Sequence, residues 1–581
     1  MKVPDRAQAT VQAAPFALPQ ISVAQVVLIA ILAAALFTRF WRLDVPGEFI
    51  FDEVYFPKTG QEILHGDPHA WDFYGHENTH PPLSKLFMAG GMLFFGENAW
   101  GWRFFGALAG VGSVVFMYLL AKKLFDSEVA GLAGASLLTL DGLAFAQSRI
   151  ATPDTYVLFF VLGTVYFLVS DRWLLSGVFF GAGAASKWIA AFTMIPIVLY
   201  LVWRLIRGIA EREPDSRLKP VEGVLLVGAV FAVAGVVLAA AGSLLAGGFS
   251  SGAEIGGIPF AIAAVIFLAG LIGILGSEDL RKTPRGKLYL ELAVIFPVFF
   301  LVVPGLTYLL TYVPMLANGH SLSDVWELNR AAYDFHSQCD APGCDHPYKS
   351  LWINWPIMGR PVFFHVVGYA KIYSLGNPII FWLGIPALGF LALRGLNLRA
   401  RINSATGGLG ISVALRQAQW PLIFVALSFL GFWLPWATQP RIMFIYHYLP
   451  ALSFVILALA YCVHWLWHQK LPRDVVLSLN VAWIVAALGL LVYLTLERDK
   501  SYYLSWGAVA IAALVVFQVG MREALARVPS LSRFDNPSGQ ALAATFLVAV
   551  MVTFAYFYPH LAAVDVSPSF DESYYWFASW R

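Results

Sequence analysis

The stretch Phe51-Asp52-Glu53-Val54-Tyr55-Phe56 sets two adjacent carboxylates just beyond the first long apolar segment. A carboxylate there suits a general base, because group transfer to a hydroxyl requires its proton to be accepted as the new bond forms. A second feature, His80-Pro81-Pro82-Leu83-Ser84-Lys85, has two prolines that stiffen the entry to a helix. Further along stand Arg149, five residues before Asp154, then Lys187 in Ser186-Lys-Trp188, Arg360 in Gly359-Arg-Pro361, Arg441, and His447 in Tyr446-His-Tyr448. Such cations and donors suit a phosphate anion, which arginine grips through two nitrogens and lysine meets as a point charge.

The elements that must position these residues are membrane helices. Of 581 residues, 59% are hydrophobic and only 13% charged, far from the roughly 25% charged residues of a soluble domain. Apolar stretches of spanning length recur at about 21–38, 100–120, 128–147, 154–170, 173–186, 188–203, 221–245, 258–276, 288–312, 377–393, 418–436, 443–466, 476–495, 502–519 and 541–558. The first lacks a small-residue cleavage site and runs into Arg39-Phe-Trp-Arg42, so it is read as a retained span. With residues 1–20 in the cytoplasm, Lys122-Lys123, Arg204–Lys219, Arg281–Lys287, Arg394–Arg416 and Arg522–Arg533 all fall inside, as the positive-inside rule requires. Reading 173–203 as one span would invert the Arg204–Lys219 group, so two short spans meeting at Lys187 are expected.

This parity leaves two long external segments, about 41–99 and 313–376, beside a core spanning 21–475 and additional spans with an external tail at 476–581. Leu83–Phe95 is too short to cross and reads as a helix lying in the membrane interface. Ten of the twelve histidines fall outside, all but His464 and His468, so titratable chemistry concentrates there. Cys339 and Cys344 flank Asp340-Ala-Pro-Gly343 and suit a small disulfide-closed turn in an oxidising compartment. His336 and His346 nearby make a weak zinc signature. A net charge of +2 with no long basic run argues against a nucleic-acid partner.

The ordered set Asp52-Glu53, His80-Pro-Pro-Leu-Ser-Lys85, Arg149 with Asp154, Ser186-Lys-Trp188, His346-Pro-Tyr-Lys-Ser350 with Trp355-Pro356 and Arg360-Pro361, and Tyr446-His-Tyr-Leu-Pro450 resembles the protein O-mannosyltransferases, bacterial type, within the GT-C superfamily. The resemblance runs from about residue 36 to 460. It implies an all-α polytopic bundle with external loop helices in a prokaryotic plasma membrane. It also implies a polyprenyl-phosphate-mannose donor, a Ser/Thr-containing acceptor protein, and inversion at the anomeric carbon. By this likeness Asp52 is the catalytic base and Glu53 orients the acceptor or neighbouring side chains. His80, Lys85, Arg149, Asp154, Lys187, Arg360 and His447 would surround the lipid phosphate or sugar. No cofactor is required, because a phosphate leaving group needs cations and not a strong general acid; a divalent metal is not predicted.

Three departures stand out. Ser84 replaces the glycine common in the family, residues 313–376 leave no room for the β-trefoil domain of eukaryotic relatives, and the spans after about 476 exceed the family's usual core. Two other readings compete: a GT-C enzyme acting on a glycolipid or cell-wall glycan, and a transporter. Against transport, the polar residues gather at one face and do not cross the bilayer midplane.

Overall fold

The computed structural model describes residues 21–212, 284–337, 346–396, 419–439, 442–498, 502–528 and 535–581. The expected spans 221–245 and 258–276, the Cys339–Cys344 turn, Arg441 and the 1–20 segment lie outside the described residues.

Helices follow one another along the chain: α1 Val23–Phe40, then α2 Phe56–Leu64 and α3 Leu83–Phe95 in the first loop, α4 Ala99–Phe125, α5 Glu128–Thr139, α6 Gly142–Gln147, α7 Asp154–Val169, α8 Trp173–Ser186 and α9 Met194–Arg212. After the undescribed stretch come α10 Pro284–Pro297, α11 Val303–Leu310, α12 Val313–Ala317 and α13 Leu322–Ser337. The last group is α14 Pro378–Gly395, α15 Trp420–Trp433, α16 Leu449–His468, α17 Arg473–Arg498, α18 Tyr502–Arg527, α19 Pro537–Leu561 and α20 Pro568–Ser573. Among the described residues, ten helices are long and apolar enough to cross a membrane.

Polar caps set the breaks. Ser22 and Gln25 form a capping box on α1, Asn98 caps α4, and Asn377 caps α14 ahead of Pro378. The stretch expected as one span at 128–147 is divided. Asp141 accepts from the Ala144 N–H at 2.8 Å and from the Asn377 N–H at 3.1 Å, and so ends α5 and starts α6. The break expected at Lys187 is present: its backbone is extended, with φ −164°, between α8 and a 3-10 turn over Trp188–Thr193. The fold also holds a β-hairpin that hydropathy did not announce, β1 Phe363–Val367 antiparallel to β2 Ala370–Tyr373. Its strands are short and lie between turn residues in the 313–376 segment.

The buried core joins α4–α8, α14–α16 and α19. Beyond residue 476 the chain divides into two unlike parts. α17 and α18 have no buried residues in their apolar windows and sit at the periphery, whereas α19 packs on α16 and β2. α3 crosses α4 closely through glycines. A Cβ on Gly101 would lie 2.0 Å from the Gly96 carbonyl oxygen, and one on Gly91 2.2 Å from that of Gly101. Backbone cannot step aside as a side chain can, so Gly101→Ala is expected to destabilise the protein by about 1–3 kcal/mol. A lower unfolding temperature in detergent checks this; an unchanged one contradicts the close crossing.

Candidate active site

The Asp52 turn is held from behind by its neighbour. Glu53 is fully buried. One carboxylate oxygen accepts from Arg103 Nε at 2.7 Å and the Ala151 N–H at 2.8 Å; the other accepts from an Arg103 Nη at 2.7 Å and the Ile50 N–H at 3.1 Å. Arg103, fully buried near the start of α4, also donates to the carbonyls of Leu43, Pro46 and Glu48 at 3.1, 2.6 and 3.2 Å. One ion pair thus ties the whole 43–53 segment to α4 and to the loop before α7. Phe51 is bent into the left-handed region at φ +48°, unusual for a bulky residue. Its ring packs on Phe364 of β1 at 4.8 Å and on Tyr446 at 6.0 Å. Between the bent Phe51 and the anchored Glu53, Asp52 is half-buried.

Five of the expected residues, Lys187, Asp154, His447, His80 and Arg360, are linked to this turn through a wall of aromatic side chains. Lys187 Nζ donates to both oxygens of Asp154, at 2.9 and 3.0 Å, and lies 5.5 Å from the centre of the Tyr446 ring. The His447 ring stands 4.7 Å from Tyr446 and 4.6 Å from Trp436, with Nδ1 accepting from the Phe444 N–H at 3.0 Å. On the other flank His80 stacks on Phe56 at 5.8 Å and on His336 of α13 at 4.9 Å, and His336 in turn reaches Trp188. Arg360 joins the wall through Tyr348, His346 and Phe444, the last of which stacks on Tyr446. Its Nε donates to the Pro347 carbonyl at 2.7 Å.

Two expected phosphate cations have backbone tasks instead. Lys85 is fully buried and donates to the Glu77 carbonyl, to Asn78 Oδ1 at 2.9 Å and to the His80 carbonyl at 3.1 Å. Burial holds its pKa below the ordinary lysine value, against the pull of Glu77. Arg149 caps the end of α1, donating to the carbonyls of Thr38, Arg39, Trp41 and Arg42 at 3.1, 3.0, 2.7 and 2.8 Å. Each supports the site from beneath: Lys85 fixes the loop that carries His80, and Arg149 fixes the point where the first loop leaves the membrane helix. Glu53 likewise has both oxygens occupied within the fold, on Arg103 and the Ile50 and Ala151 N–H groups, so of the two tasks expected of it, orienting the acceptor or neighbouring side chains, the structure shows the second.

Arg103 was missed, while His336 was read only as a weak zinc signature with His346 and Trp188 only as the neighbour of Lys187. A charge inside an apolar helix is a signal for Arg103; nothing in the sequence pairs His336 with His80. Among the described residues no group of three or more His, Cys, Asp or Glu side chains converges as a metal would need.

The family model for the C-terminal four TMM region of protein-O-mannosyltransferase matches residues 321–580, and that for dolichyl-phosphate-mannose-protein mannosyltransferase matches 79–234. The chain is 25% identical over 480 residues to the polyprenol-phosphate-mannose–protein mannosyltransferase of Mycolicibacterium smegmatis, covering 74% of this chain and 80% of that one. It is 26% identical over 467 residues to the protein of that name from Mycobacterium tuberculosis, covering 74% and 79%. In structure it is similar to a chain of the S. cerevisiae protein O-mannosyltransferase Pmt1-Pmt2 complex bound to the sugar donor, with a TM-score of 0.62 at 13% identity over 97% of this chain and 93% of that one. The fold is that of the GT-C membrane glycosyltransferases. The chain belongs to the protein O-mannosyltransferase family. The C-terminal family match extends to residue 580 and so takes in the stretch after 476.

Glu53→Gln tests the anchor. Removing one charge of a fully buried pair leaves Arg103 uncompensated, a loss of about 3–5 kcal/mol. A large drop in unfolding temperature together with loss of activity is expected; a variant as stable as the native protein contradicts the anchoring role.

Proposed function

We propose that this protein transfers mannose from polyprenyl-phosphate-mannose to Ser or Thr hydroxyls of exported proteins, with inversion at the anomeric carbon and Asp52 as the base. The acceptor oxygen forms a bond to the anomeric carbon as the bond to the phosphate oxygen breaks. The electron pair leaves with the polyprenyl phosphate, and the acceptor's proton passes to Asp52. Inversion requires base and leaving group on opposite faces of the sugar. Phe51, next to Asp52, and Lys187 both lie against Tyr446, which supports this reading by bringing the carboxylate turn and a cation to one aromatic side chain. Lys187, Arg360 and His447 are the groups we assign to the phosphate, with Asp154 holding Lys187 in place. His80 is assigned to the sugar or acceptor side, near the stacked His336.

The site lies in a prokaryotic plasma membrane on the external face, and α1 starts from the cytoplasm. Lys122 and Lys123 end α4 at the opposite end of the bundle from the site, which supports this sidedness. Cationic side chains stabilise the departing phosphate, so the reaction proceeds without a divalent metal.

Transfer from synthetic polyprenyl-phosphate-mannose to a Ser/Thr-rich peptide in detergent tests the proposal. Asp52→Asn is expected to lower kcat by about 100-fold or more with little change in donor KM, and a chelator is expected to leave native activity intact. Activity retained in Asp52→Asn contradicts the base. Donor consumption with no peptide product would move the acceptor to a glycolipid or cell-wall glycan.

A further inference from the structure

The turn that carries Arg360 is held largely by indoles from elsewhere in the chain. Met358 is fully buried with φ +58°, a conformation an L side chain keeps only when its surroundings impose it. Within the turn, the Met358 N–H donates to the Trp355 carbonyl and the Gly359 N–H to that of Asn354, both at 2.9 Å. Three indole N–H groups close it from outside. Trp433 of α15 donates to the Trp352 carbonyl at 2.9 Å, Trp382 of α14 to Ile357 at 3.2 Å, and Trp580 to Met358 itself at 2.9 Å.

The first two indoles stand on rigid membrane helices. Trp580 instead belongs to the 562–581 segment, where it is 1% exposed and stacks on Trp576, and its carbonyl accepts from Tyr373 Oη at 2.5 Å. That segment has its own latch. One Asp571 oxygen takes Lys371 Nζ of β2 at 2.6 Å and pairs with His560 Nε2 at 2.7 Å, with all three side chains buried. The Ala563 N–H donates to the Lys371 carbonyl at 3.0 Å. Burial pulls the Lys371 ammonium down, but Asp571 and the Tyr575 hydroxyl outweigh it and its pKa lies above the ordinary lysine value.

We propose that Trp580, latched in place through Asp571 and Lys371, is a positioning residue for Arg360: its N–H fixes the Met358 carbonyl, and thereby the left-handed turn that sets the guanidinium over Tyr348 toward the donor phosphate. The inference rests on the assignment of Arg360 to that phosphate. Trp580 acts at a distance from the sugar, so its effect appears in how well the donor is held and not in the bond-making step.

The test uses the full chain in detergent and measures donor KM and kcat for Trp580→Phe, Asp571→Asn, Arg360→Gln and the Arg360→Gln/Trp580→Phe pair. Trp580→Phe keeps an aromatic ring but removes the N–H together with the five-membered ring that carries it, so its unfolding temperature is measured beside the kinetics. It is expected to raise donor KM about fivefold, the factor of one lost hydrogen bond, with kcat within about twofold, the mark of lost ground-state binding. Asp571→Asn should act in the same direction. In the Arg360→Gln background Trp580→Phe should add nothing, because its effect passes through the guanidinium. An unchanged donor KM, an effect on kcat alone, or the same factor in both backgrounds overturns the proposal. If Arg360→Gln itself leaves donor KM untouched, the assignment of Arg360 fails, and the positioning role fails with it. Should Trp580→Phe not be recovered folded, Asp571→Asn takes its place in the cycle with the same two readings.

Discussion

A carboxylate taken fully out of water must find partners for both oxygens, or lose its charge. In this fold Glu53 finds four donors, two of them on Arg103. That pair is the constraint from which the site follows. Arg103 stands on a membrane helix packed against α3, α5 and α7, so the turn it grips inherits the helix's rigidity. Asp52, its neighbour in the chain, gains a fixed place from that grip. The neighbouring acids divide the work: Glu53 holds the turn, and Asp52 is the group we propose as the base.

The same economy recurs around the wall. Lys85, Arg149 and Asp141 are buried polar groups whose donors or acceptors are spent on backbone at loop starts, helix ends and helix breaks. In a chain whose helices lie among lipid, backbone groups freed at a break must be satisfied within the protein. Polar side chains therefore collect at the ends of the spans, which is also where a water-facing substrate and a lipid-borne donor can meet. Aromatic residues complete the wall because an indole or phenol joins an apolar body to a polar tip. The three indoles around Met358 show how an irregular turn is made definite by such tips.

Much of the fold was legible in the sequence, since spanning hydrophobicity is a strong signal and the break at Lys187 followed from charge sidedness alone. Leu83–Phe95 came out with the bounds read from its composition. The division at Asp141 was not, because hydropathy averages over a single buried acid. The hairpin at 363–373 was too short to leave a periodic pattern. Of the site, the residue types were visible but not their tasks: Lys85 and Arg149 look like Lys187 and Arg360 until their partners are placed. Pairings such as Lys371 with Asp571, 200 residues apart, leave no local trace at all.

The most direct test of the account is an experimental structure of the protein in a lipid nanodisc with a non-transferable polyprenyl-phosphate-mannose analogue. The account predicts the phosphate on the Lys187, Arg360 and His447 flank of Tyr446, with the sugar's anomeric carbon facing Asp52 across the wall. A phosphate bound elsewhere, or Asp52 turned away from the sugar, would contradict it.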